Sequence, residues 1–182
     1  MIPAEIKKLI GRLDPGSFTA LMGALVTAEA TTLGIAPDRI VMSDALTEND
    51  EGLDGILYDV PNSSGLSPSS ALPSGLVGLQ FKTTRRKQPT ALKLSEELRK
   101  TGPRRVLISG GTYVLAWSQD LNYPQREAAA QALRAEAETV LAEAGLDEEP
   151  KTAVWDAQTL SSLSVMTPLS SPASGSRTSA RR

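Results

Sequence analysis

Two residue types are missing from the 182-residue chain: there is no cysteine and no histidine. Without cysteine there is no disulfide, no thiolate nucleophile and no reason to infer an oxidising compartment. Without histidine, Ser-His-Asp and Cys-His catalysis fall away, together with His-ligated metal centres and the usual His/Cys zinc sites. Long apolar runs are missing too, since none approaches the ~20 residues of a membrane span. The N-terminal stretch MIPAEIKKLIGRLDPG lacks the apolar core of a secretory signal, so a cytoplasmic protein with no membrane partner is expected. Chemistry must come from carboxylates, amides, hydroxyls, lysine and arginine. That inventory suits a hard cation such as Mg²⁺ or Mn²⁺ held by oxygen atoms.

What is present is ordinary in amount and uneven in distribution. Hydrophobic residues make up 40% and charged residues 22%, the balance of one globular domain with a real core. The formal net charge is -2, yet Lys82–Arg105 carries nine cations against only Glu96 and Glu97. Acidic residues gather instead at Glu48–Asp54 and Glu127–Glu149. A solvated helix face accounts for most of Lys93–Lys100. The run KTTRRK, Lys82–Lys87, directly follows an apolar strand and is placed to meet phosphates.

Periodicity gives alternating helices and strands, hence an α/β class. Pro15-Gly16-Ser17 opens a helix with Ser17 as N-cap, closed by Gly34. Glu29 falls in the middle of that helix's apolar stripe, an odd place for a carboxylate. Short strands are expected at Arg39–Met42, Gly52–Val60 and Leu76–Lys82, the last two as an antiparallel pair across the Pro/Ser-rich loop Pro61–Ser74. A helix follows from Thr90 to Gly102, and RRVLISG, Arg104–Gly110, reads as a buried strand because its centre is continuously apolar. YVLAWS is a further short strand or a turn, Pro124–Gly145 a long helix, Lys151–Trp155 a last strand, and Ala157–Leu163 a short helix. Residues 1–166 form the domain; 167–182, without periodicity, read as a disordered tail or linker.

Side chains alternate along a strand, so Gly78, Gln80 and Lys82 share one face and Val77, Leu79 and Phe81 the other. Gly78 leaves space on the Gln/Lys face, and Asp54 lies between Gly52 and Gly55, where a ligand or backbone could approach closely. A sheet with one wet face is the plain alternative for an isolated Q-x-K. Ser109-Gly110-Gly111-Thr112 lacks the lysine of a phosphate loop and reads as a strand-end turn.

An aspartate in G-x-D-G, a strand ending in Q-x-K, then a helix and an apolar strand together resemble the PD-(D/E)XK nuclease superfamily. The Q-x-K form is most similar to Mrr-type restriction endonucleases and to effector nuclease domains of bacterial anti-phage systems. The resemblance runs from Ser17 to about Pro168 and includes TAVWDAQTLSSLSVMTP. It implies a restriction-endonuclease-like central mixed β-sheet flanked by helices, and Mg²⁺-dependent endonuclease cleavage of double-stranded DNA. It further implies a fused or associated sensor or NTPase module, and a homo-oligomer. Position by position, Asp54 would be the metal-binding aspartate, Gln80 the second ligand and Lys82 the catalytic lysine. Leu53 stands where the family has proline. Gln80 is neutral, so Glu29 would restore the missing charge as a third ligand; the alternative for Glu29 is a buried structural pair. Thr83, Thr84, Arg85, Arg86 and Lys87 would hold the DNA backbone. A nuclease fold that has lost its activity, binding nucleic acid or protein, is the competing expectation.

Overall fold

The computed structural model describes residues 3–43, 51–62, 72–83 and 90–166. Two N-terminal helices, α1 (Pro3–Ile10) and α2 (Pro15–Thr32), precede three strands: β1 (Ile40–Met42), β2 (Gly55–Val60) and β3 (Gly75–Lys82). Helices α3 (Ala91–Leu98) and α4 (Thr101–Ile108) lead into β4 (Thr112–Trp117). The long α5 (Tyr123–Glu143), β5 (Lys151–Trp155) and α6 (Ala157–Met166) complete the order.

The five strands form one sheet in the order β1-β2-β3-β4-β5. β1, β2 and β3 run antiparallel in turn, whereas β4 is parallel to β3 and β5 parallel to β4. The expected class, an α/β fold with a central mixed sheet flanked by helices, is the one found. β3 and β4 sit centrally and are buried along almost their whole length, which accounts for the unbroken apolar run TYVLAW.

Strand alternation sorts the core into two layers. Val77, Leu79 and Phe81 of β3 pack with Phe18, Met22 and Val26 of α2. On the other face Tyr113, Leu115 and Trp117 of β4 pack with Leu94 and Leu98 of α3, Val106 and Leu107 of α4, and Leu133 and Val140 of α5. Gln80 and Lys82 therefore face the layer of α3, α4 and α5.

Two assignments differ from the sequence reading, each for a local reason. The N-cap of α2 is Asp14, not Ser17: its Oδ1 accepts from the Ser17 N–H at 2.9 Å, and Pro15 takes the first helical position. Gly34 closes α2 at φ +75, as expected. The segment expected as a strand at Arg104–Gly110 is α4. A short apolar run does not separate strand from buried helix by itself; the telling residues are the two glycines after it. Gly110, at φ +72, donates to Leu107 O at 2.9 Å, and Gly111 donates to Val106 O at 2.9 Å, a left-handed helix termination. Ser109–Thr112 is accordingly the turn out of α4 into β4. The buried strand is YVLAW itself. Residues 63–71 of the Pro/Ser-rich loop and the tail 167–182 lie outside the described residues.

Candidate functional site

The site is built where β3 outruns its neighbour. The last β2–β3 ladder pair is Gly55 with Leu79, but β3 continues to Lys82 against β4. Asp54 stands just ahead of β2, in a turn whose backbone is left-handed at Glu51 (φ 52) and Gly52 (φ 91). Its N–H donates to Leu79 O at 2.8 Å, and its Oδ2 accepts from the Phe81 N–H at 2.6 Å. The carboxylate thus satisfies the backbone donor that β2 no longer reaches. The turn is clipped from the far side by α4: the Gly102 N–H donates to Glu51 O at 2.9 Å, and Arg105 pairs with the Glu51 carboxylate at 3.0 Å.

Beside Asp54, Gln80 is 2% exposed and hydrogen-bonded at both ends of its amide. Its Oε1 accepts a short hydrogen bond from the buried Tyr113 hydroxyl, and its Nε2 donates to Glu97 Oε2 at 2.6 Å. Glu97, on α3, also receives Lys82 Nζ at 3.1 Å and Lys100 Nζ at 2.6 Å. Asp54, Gln80 and Lys82 are thus gathered at one end of β3, with three residues the sequence reading missed: Tyr113, Glu97 and Lys100. A signal for Glu97 was present. Leu94 and Leu98 are the buried stripe of α3, and Glu97 lies one turn after Leu94 on the helix that returns onto the Gln80 face.

Burial works against ionisation of Glu97, but hydrogen bonds and charge from Lys100 and Lys82 overcome it and hold the carboxyl below its usual range. Tyr113 moves the other way. Its burial, reinforced by the negative charges of Glu97 and Asp54, pushes the phenol well above 10.0, so it stays a donor to Gln80.

The glycines expected to leave room for a ligand make room for side chains instead. A Cβ on Gly78 would lie 2.7 Å from Val106 Cγ2, because α4 seats there. A Cβ on Gly52 would run into the Lys100 stem, and one on Gly55 would meet Met42 Sδ at 2.8 Å.

Glu29 is half-buried on α2, the helix that covers the Val77/Leu79/Phe81 face, away from Gln80 and Lys82. Thr83 follows Lys82 and lines a crevice of about 580 Å³ at the ends of β3 and β4, with Arg12, Asp14, Ser118 and Gln119. Thr84, Arg85, Arg86 and Lys87 lie outside the described residues. Much of the +7 segment is neutralised within the fold. Arg99 pairs with Glu136, Arg104 with Glu143 and Arg105 with Glu51, while Lys82 and Lys100 share Glu97.

Chemically, the donors around Gln80 are oxygens: the Asp54 and Glu97 carboxylates and an amide oxygen with a second lone pair beyond the one Tyr113 uses. That set fits a hard divalent cation and not a soft one. Among the described residues no group of three or more aspartate, glutamate, histidine or cysteine side chains is placed to hold a metal ion. No described helix is long and apolar enough to cross a membrane. Comparison with protein-family models, with curated proteins and with solved structures finds no match for the chain.

Proposed function

We propose that the chain is a divalent-cation-dependent nuclease that hydrolyses phosphodiester bonds in DNA, the effector part of an anti-phage defence protein. One observation carries the reading. Gln80 and Lys82 share a face of β3, and Asp54, from the start of the adjacent strand, closes on the same end of it. Asp54 and Gln80 would hold Mg²⁺ or Mn²⁺. When bound, such an ion polarises a phosphoryl oxygen and lowers the pKa of a ligated water. Lys82, one-third exposed at the rim, is placed to orient that water and to offset charge developing on the phosphate. The buried Tyr113 hydroxyl fixes the orientation of the amide by donating to its oxygen. Thr83 and Arg12 line the adjoining crevice, where a nucleic-acid backbone would run.

A second reading is favoured by the ion pairing itself. Glu97 is already met by two lysines and an amide, as a structural polar cluster would be, so the fold could bind nucleic acid or protein without cutting. Incubation of the chain with plasmid DNA in Mg²⁺ or Mn²⁺, against EDTA, tests the first. Nicking or linearisation that needs the cation supports it. DNA retention in EDTA with no cutting at any cation concentration, in the assembled protein, supports the second.

A further inference from the structure

We propose that the crevice at the ends of β3 and β4 binds one phosphodiester of a nucleic-acid strand through Arg12, Thr83 and Ser118. The inference rests on the nuclease reading above and gives the substrate strand a second hold, across the end of β3 from Lys82. Side chains alternate, so Thr83 and Ser118 project on the α2 side of the sheet, while Lys82 and Trp117 project on the other. The Ser118 N–H donates to Lys82 O at 3.0 Å, which sets Ser118 against the peptide that joins Lys82 to Thr83. The elbow between α1 and α2, Gly11–Pro15, forms the facing wall. Gln119 fastens that elbow to the sheet, its Nε2 donating to Gly11 O at 3.0 Å.

The polar groups of this crevice are unengaged. Ser118 is 1% exposed, and among the described residues its hydroxyl has no hydrogen-bond partner. It is not sealed in, because the described side-chain atoms shut off from solvent without a partner are Trp117 Nε1 and Arg126 Nε. A buried hydroxyl that opens onto a cavity without a partner is a donor for a ligand. The Thr83 hydroxyl and the exposed Arg12 guanidinium likewise have no partner among the described residues. Asp14 is also in the lining, but its oxygens accept from the Ser17 N–H at 2.9 Å and the Ser17 hydroxyl at 2.6 Å, against the N-terminus of α2. Two hydroxyl donors and one guanidinium remain, which matches an anion of single charge. A phosphodiester is such an anion. A phosphomonoester carries about -1.5 to -2 at pH 7, and its extra charge would face Asp14 unmatched.

Fluorescence anisotropy of a labelled oligonucleotide with the full chain in EDTA tests this apart from cleavage. Arg12→Ala should weaken binding by about tenfold and lower the slope of log affinity against log salt by about one, as the loss of one phosphate contact does. Arg12→Lys should keep the slope, since the charge stays. Ser118→Ala should weaken binding by about threefold to tenfold, the worth of one hydrogen bond. Its melting temperature should stay at the wild-type value, because the hydroxyl has no partner in the fold to lose; a structural serine would give the reverse. At matched ionic strength a cyclic nucleoside phosphate, which is a diester, should displace the label better than the corresponding nucleoside monophosphate. Wild-type affinity and slope in Arg12→Ala, wild-type affinity in Ser118→Ala, or equal displacement by the monophosphate overturns the assignment while the nuclease reading stands. A wild-type chain that binds no oligonucleotide in EDTA overturns the assignment too, and if plasmid cutting in Mg²⁺ is also missing the nuclease reading falls with it.

Discussion

Adding one methyl group at Gly78 tests whether α4 covers the Gln80 face as described. The new Cβ would lie 2.7 Å from Val106 Cγ2 and 3.3 Å from Leu53 Cδ2, inside the buried centre of β3. Overpacking of this kind costs about 1–3 kcal/mol. Loss of glycine's backbone freedom returns about 0.5–1 kcal/mol. Gly78→Ala should therefore destabilise by about 1–2 kcal/mol as the balance of the two. Val106→Ala alone removes two buried methyl groups at about 0.8 kcal/mol each, plus a cavity contribution, for about 2 kcal/mol in all. In the double variant the methyl added by Gly78→Ala occupies part of the space that Val106→Ala vacates. The pair should then cost about 1–2 kcal/mol less than the two single changes together. Urea unfolding at neutral pH, with unchanged slope, measures all three. Additivity within about 0.5 kcal/mol would refute the packing. Residues 101–108 would then have to lie elsewhere, as in the strand that the apolar run suggests.

Three further outcomes follow from the buried polar groups. Asp156 is fully buried and accepts from Arg126 Nη2 at 2.8 Å, from the Leu121 N–H at 3.2 Å and from the Thr159 N–H at 3.0 Å. Asp156→Ala should cost about 3–5 kcal/mol in urea unfolding, because it strands a partly buried guanidinium and two backbone donors. Glu97 keeps its charge in the fold below the pH at which the unfolded chain takes up a proton. Its stabilising contribution should be complete above pH 4.5 and disappear as pH falls through the lowered folded value, and Glu97→Gln should flatten that acid limb of stability. Tyr113 is shifted upward, so the unfolded chain releases this proton first and stability should decline as pH rises past 10.0. Absorbance titration should show a phenolate appearing only with unfolding, and Tyr113→Phe should remove it; ionisation of Tyr113 in the folded protein near pH 10.0 would contradict the buried hydrogen bond to Gln80.

Period-2 and period-3.6 patterns were enough to locate β2, β3, α5 and β5, and the alternation in GLVGLQFK correctly put Gln80 and Lys82 on one face. Periodicity failed at RRVLISG, where four apolar or small residues suit either element and only the Gly110-Gly111 termination distinguishes them. The same failure hid the purpose of Gly78, since a ligand cannot be told from a packed valine without knowing that a helix returns there. Glu97 looked like part of a solvated charge run because its partners Gln80 and Lys82 are 15 or more residues away along the chain. Tyr113 could not be connected to Gln80 before β4 was known to lie parallel to β3, with Tyr113 opposite Gly78 and so one step from the amide on the same face. Contacts of this kind depend on strand order, which local pattern does not contain.

The central claim is that Asp54, Gln80 and Lys82 form one cation-dependent cleavage site. It is tested most directly by cutting of plasmid DNA in Mg²⁺ or Mn²⁺ by the assembled wild type beside Asp54→Ala and Lys82→Ala. Each variant should retain its fold and its DNA binding in EDTA yet lose cation-dependent cleavage, one for want of a ligand carboxylate and the other for want of the ammonium that positions water. Cleavage at the wild-type rate by either folded variant would contradict the account and put the chemistry elsewhere in the protein.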